Sequence, residues 1–101
     1  MSVTYQIVYW RDIPAQIRVK SGNQRTNRQL SPRFQEAIDA AAMHAQATKT
    51  DDYLADWHTT EWQHIDGDAD FLIEQLAAQI ENEYTPERLK MLTLNKGFEP
   101  A

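Results

Sequence analysis

"TYQIVYWRDIPAQIRVK", Thr4 to Lys20, decides the fold. Val3, Tyr5, Ile7 and Tyr9 fall on alternate positions, and so do Ala15, Ile17 and Val19, with Gln16, Arg18 and Lys20 between them. A period of two marks half-buried strands, so two strands are predicted. Arg11-Asp12-Ile13 makes the bend, and Pro14 opens the second strand, where its missing N–H does least harm. Pairing Tyr9 with Ala15, Ile7 with Ile17 and Tyr5 with Val19 puts every apolar residue on one face. A slip of one residue would mix the faces, so this register is expected.

Downstream, "SGN" at 21–23 is a turn signal, and "QRTNRQL" at 24–30 is a weak third strand. "LSPRFQEAIDAAAMHAQA" at 30–47 reads as a helix, with Ser31 at its cap and Pro32 in its first turn. Phe34, Ile38, Ala41 and Ala45 form its apolar stripe. "YLADWHTTEW" at 53–62 suits a strand with a bulge near Thr59-Thr60, because Trp57 and Trp62 otherwise lie on opposite faces. "DGDAD" at 66–70 places acid at the start of a second helix, whose buried stripe is Leu72, Ile73, Leu76, Ile80 and Tyr84. Thr85-Pro86 caps a short third helix, and "NKGFEPA" at 95–101 reads as a tail. The expected fold is α+β: a two-layer sandwich in the order β-β-(β)-α-β-α, with two main helices on one face of an antiparallel sheet of three to four strands. Residues 1–92 are expected to form one domain, and 93–101 a C-terminal tail.

The 101 residues allow one modest core, and 42% apolar with 25% charged content is ordinary for a globular domain. No apolar run approaches the ~18 residues of a membrane span. The N-terminus lacks the pattern of a secretory signal, and a chain without cysteine suits a cytoplasmic setting. Disulfides, thiolate metal sites and cysteine nucleophiles are excluded. The net charge of −5 conceals a division. Residues 1–33 carry Arg11, Arg18, Lys20, Arg25, Arg28 and Arg33 against Asp12 alone, while residues 34–101 carry four basic and fourteen acidic side chains. Such asymmetry marks an anion site, a surface for an acidic partner, or simply a solvated hairpin beside acidic helices.

Catalytic patterns are absent from the sequence. Ser2, Ser21 and Ser31 sit in a terminus, a turn and a cap, and the three glycines are too dispersed to cradle phosphate. "DGDAD" opens like a calcium loop, but Phe71 and Ala77 stand where Gly and Glu are required. His58, Glu61 and His64 converge only if their segment is irregular, so no metal site is expected. No catalytic residue and no cofactor are assigned.

In this register Trp10, Val8, Gln6 and Thr4 face away from the helices, opposite Gln16, Arg18 and Lys20. Trp10 is then expected on the uncovered side beside cations, where Trp and Arg are the residue types that dominate interface hot spots. The alternative tucks Trp10 under the C-terminal tail or Phe98, and pairs Arg11 with Asp12 across the turn.

"IVYWRDIPAQI", followed by "SPRFQEAIDAAAM" and "DDYLADW", resembles a family of small bacterial domains called the virulence factor family. The resemblance covers about residues 5–80, and its most specific part is the Tyr-Trp-Arg-Asp-Ile-Pro-Ala-Gln core from Tyr9 to Gln16. The family name records a phenotype and no reaction. The resemblance implies a stand-alone cytoplasmic protein or a module joined to helical repeats, and the stand-alone relatives suggest folate- or corrinoid-linked methyl transfer. It supplies no catalytic residue.

The favoured expectation is a non-catalytic interaction module binding a protein partner or a second copy of itself through Trp10, Arg11 and Asp12, with Arg18, Lys20, Arg25 and Arg28 beside them. A second is an accessory subunit or small enzyme handling an anionic metabolite through Arg18, Lys20, Arg25 and Arg28. A third, nucleic-acid binding through an aromatic and basic sheet face, is opposed by the sequence pI near 5.0.

Overall fold

The computed structural model describes residues 2–46 and 50–99. The predicted hairpin is formed by β1 (Ser2–Trp10) and β2 (Ile13–Ser21), followed by β3 (Gln24–Gln29) and α1 (Pro32–His44). Then come α2 (Thr50–Ala55), β4 (Trp57–Thr59), β5 (Gln63–Asp66), α3 (Ala69–Glu83) and α4 (Pro86–Leu94). The sheet order is β3-β2-β1-β4, with β5 pairing the other end of β1, and every pairing is antiparallel. An α+β architecture results. Among the described residues no helix is long and apolar enough to cross a membrane.

The core lies where the strand and helix stripes meet. Val3, Ile17 and Val19 of the sheet pack with Phe34, Ile38, Ala41, Ile73, Ile80 and Leu92. Two helices, α3 and α4, start as the sequence suggests. Asp68 caps α3 by accepting from the Phe71 N–H at 3.1 Å, and Thr85 caps α4 by accepting from the Arg88 N–H at 3.2 Å. Ser31 instead turns its hydroxyl to Glu81 of α3, so α1 begins without a side-chain cap and is tied to its neighbour.

Three local expectations change. Ile7 pairs Ile17 and Tyr5 pairs Val19 as predicted, but Tyr9 pairs Pro14, not Ala15. Ala15 is an extra residue in β2, a bulge that the period-two reading could not register. A bulge bends its strand and increases the twist, and at this end Trp10 and Ile13 join the core. The single strand expected at 53–62 is instead the last turn of α2, the short β4 and an irregular stretch, and β5 begins only at Gln63. Thr60-Glu61-Trp62 leaves the ladder between them, near where a bulge was expected. Its Thr60 hydroxyl takes over a ladder position by accepting the Ile7 N–H at 3.0 Å. Finally, α4 runs to Leu94, and the chain beyond it turns back onto the first hairpin. Gly97 is buried there.

Candidate functional site

Trp10 is not on an uncovered side: it is 0% exposed. Its indole N–H donates to the Tyr53 carbonyl at 2.8 Å, and its ring stacks on Tyr53 with centroids 5.8 Å apart. The residues that close over it come from α2 and from the C-terminal turn, neither of which the alternation of β1 could reveal. The expected exposed indole is therefore corrected to a core residue.

Arg11 and Asp12 hold that closure in place, and they do not pair with each other. The Arg11 guanidinium lies between the Trp10 and Phe98 rings, at 4.8 and 4.7 Å from their centroids. It donates to Asp56 Oδ2 at 3.1 and 3.2 Å and to the Lys96 carbonyl at 2.6 Å. The Asp12 N–H reaches the Gly97 carbonyl at 2.8 Å, and the Asp12 carboxylate accepts the Glu99 N–H at 2.7 Å. Arg11 holds φ 53°, a left-handed conformation uncommon for a residue with a side chain. This web of bonds over-determines it. The Trp-Arg-Asp bend thus works as a clasp joining the hairpin tip to α2 and to the C-terminal turn.

Beside the clasp lies an open hollow of about 300 Å³ lined by Tyr9, Arg11, Asp12, His58, Tyr84 and Glu99. Tyr9 stacks on His58 with centroids 5.5 Å apart, and the His58 Nε2 sits 2.6 Å from the Arg11 carbonyl. Burial, and next the neighbouring Tyr9, push the Tyr84 hydroxyl up to about 12. Burial also raises Tyr9, against the hydrogen bond from Tyr84. Both phenols are therefore held protonated at neutral pH.

The cations expected as a cluster divide between two faces. Arg28 stands opposite Ile17 on the core side and pairs with Glu74 of α3. Arg18, Lys20 and Arg25 lie on the other face, where Lys20 is directly opposite Arg25 and Arg18 opposite Asn27. They line a hollow of about 250 Å³ together with Asn27 and Trp62. The Lys20 ammonium sits 4.2 Å from the centroid of the Trp62 ring, and Trp62 is 37% exposed. Arg18 is shared with a neighbouring hollow of about 440 Å³ lined by Val8, Gln16, Trp57, His58 and Thr59.

Among the described residues the ion pairs are Arg11–Asp56, Arg28–Glu74, Arg33–Glu81 and Arg88–Glu99. Arg18, Lys20 and Arg25 have no carboxylate within pairing distance among those residues. Among the described residues the Arg18 guanidinium donates only to Gln6 Oε1, at 3.4 Å. Fifteen acidic side chains serve the chain, and the open face draws on none of those described.

Sequence reasoning placed an indole beside Arg18 and Lys20 but chose the wrong one. Trp62 reaches Lys20 because Thr60-Glu61-Trp62 leaves the ladder. The bulge expected at Thr59-Thr60 was the available signal. The same break separates His58, opposite Tyr9, from His64, opposite Thr4, so the two histidines lie on opposite faces. Among the described residues no three His, Asp or Glu side chains gather as a metal ion would require.

The family model described as "Virulence factor" matches residues 8–93. Comparison with curated proteins finds no match, and neither does comparison with solved structures.

Proposed function

The chain belongs to the virulence factor family, and from that premise we propose a non-catalytic interaction module that docks an acidic protein partner on the open face of its sheet. Arg18, Lys20, Arg25 and Trp62 are the contact residues. Trp10, Arg11 and Asp12 support the fold beneath them. One observation carries this reading: three cations without described carboxylate partners converge beside a half-exposed indole, in a chain of net charge −5. Cations left unpaired on a sheet face are complementary to an acidic surface, which raises encounter rate and selects the partner. The chain's own acidic helices oppose nucleic acid, since binding to phosphate needs net positive reach. A cytoplasmic setting belongs to the same proposal.

The test is capture of partners from native lysate by the wild type and by Lys20→Glu/Arg25→Glu, in low and high salt. A partner retained by the wild type, lost by the double variant and released by salt is the expected result. Equal recovery by both chains sinks the proposal.

The hollow at Trp62 also supports a second reading, an accessory subunit that holds an anionic metabolite. Its indole could cover a planar ring while Arg18 and Arg25 meet the charge. A thermal-shift screen across folates and nucleotides decides between the two. Stabilisation by such a ligand, abolished in Lys20→Glu/Arg25→Glu, favours the small molecule.

A further inference from the structure

β3 ends the sheet, and its six residues are all exposed. Among the described residues no strand pairs with its outer edge. Hairpin parity shows which backbone groups point outward. Ser21 and Gln24 flank the two-residue turn Gly22-Asn23, with Gly22 at φ 61°, as the first position of a II′ turn requires. Residues flanking such a turn exchange both hydrogen bonds, and bonded and non-bonded pairs alternate from there. Thr26 and Arg28 are then bonded toward β2. The series continues at Leu30, whose N–H reaches the Ala15 carbonyl at 3.1 Å. The N–H and C=O groups of Arg25, Asn27 and Gln29 therefore face away from the sheet.

The side chains of these same three residues lie opposite Lys20, Arg18 and Gln16, on the open basic face. Edges are ordinarily blunted by shortness, proline, a bulge or charged side chains, lysine above all. β4 and β5 are short, with three and four residues. β3 contains no proline and pairs with β2 continuously through all six residues, so its remaining protection is the charge of Arg25 and Arg28, which turns away basic segments and not acidic ones.

We infer that β3 accepts an extended acidic segment of a partner protein as an added antiparallel strand. This rests on the preceding reading for the sign of the partner's charge. Lys20 and Arg25 are like charges directly opposite one another, an unfavourable cross-strand pair. A carboxylate placed opposite Arg25 on an added strand neutralises that repulsion. A second copy fits poorly. In antiparallel β3–β3 pairing the outward-bonded residues must stand opposite one another, Asn27 against Asn27 and Arg25 against Gln29, and a strand reading Gln-Arg-Thr-Asn-Arg-Gln brings no carboxylate to Arg25. Backbone bonding to Arg25, Asn27 and Gln29 supplies affinity, and alternate side chains facing Arg25 and Asn27 supply selectivity.

The experiment uses a fluorescent peptide of alternating Glu and Val, about ten residues long, enough to span β3. Its controls are the same peptide N-methylated at alternate amides, a Lys-Val peptide and a labelled single-stranded oligonucleotide. The wild type is expected to bind the Glu-Val peptide, with slowed amide exchange at Arg25, Asn27 and Gln29. N-methylation is expected to weaken binding by about tenfold, the cost of one or two lost hydrogen bonds. Asn27→Pro removes one outward N–H at a position where an edge tolerates proline, and is expected to weaken binding comparably. The N-methyl arm decides the matter even if that variant folds poorly. Peptide binding indifferent to N-methylation, without amide protection, overturns edge addition and leaves the open-face reading standing. Protected amides with binding indifferent to Lys20→Glu overturn the acidic partner and the open-face reading together. No binding of the Glu-Val peptide at millimolar concentration overturns the inference, as does preference for the Lys-Val peptide or the oligonucleotide.

Discussion

Gly97 and Trp10 meet at a point with no spare room. A Cβ built on Gly97 would lie 2.8 Å from the Trp10 Cζ3, and Gly97 holds φ 92°, where a side chain is strained. Gly97→Ala is therefore expected to lower stability by about 1–3 kcal/mol, read from denaturant midpoints. Trp10→Ala empties the centre of the clasp and orphans the Tyr53 carbonyl, and should cost about 3–5 kcal/mol. That is a large share of the ~5–15 kcal/mol available to a domain. A Trp10→Ala chain as stable as the wild type would contradict the buried indole. The residues of the bend were legible as unusual, but their role was not. Alternation along β1 shows which side Trp10 leaves the strand, and says nothing of chain that returns from positions 53 and 97 to cover it.

Between elements, the link from α1 to α3 is electrostatic. Burial pushes the Glu81 carboxyl up, but hydrogen bonds from the Ser31 hydroxyl and N–H and from Arg33 outweigh it and hold the group below the usual range. A carboxyl depressed in the folded state stabilises above its unfolded pKa, and that contribution is lost as pH falls through the folded value. Acidification below about pH 4.3 should therefore loosen α1 from α3. Glu81→Gln should cost about 1 kcal/mol at neutral pH and flatten the acid limb of a stability–pH curve. Within the sheet, Lys20→Glu converts a like-charge pair with Arg25 into an opposite-charge pair. It should hold stability or raise it by about 0.2–1 kcal/mol, read from denaturant midpoints, while abolishing partner capture. Loss of both together would mean that Lys20 supports the fold. The first hairpin, α1, α3 and α4 were legible because stripes, caps and prolines agree. The bulge at Ala15 and the division of 53–62 were not, because each breaks a period within a few residues and is settled by partners distant in sequence.

For the whole molecule, the excess of basic over acidic side chains in the first third of the chain was legible from counts alone. Topology then decides where those charges go. Arg11, Arg28 and Arg33 are absorbed by Asp56, Glu74 and Glu81, whereas Arg18, Lys20 and Arg25 remain on the open face. Binding through exposed cations should weaken steeply with salt, as the screening length falls from ~10 Å at 0.1 M to ~3 Å at 1 M. The thermal midpoint should move much less, since the core is apolar. Calorimetric titration of a captured partner across that range checks both expectations, and salt-independent affinity would assign binding to an apolar patch.

The clasp also fixes how the domain would bear mechanical load. β1 has nine residues and so runs roughly 30 Å, with Ser2 at one end and the turn pinned by Arg11 and Asp12 at the other. A pull applied at positions 2 and 99 would be directed along β1. The bonds of Arg11 and Asp12 to Lys96, Gly97 and Glu99 would take that load before the ladder to β2, so their joint rupture sets the force at which the C-terminal turn lifts away.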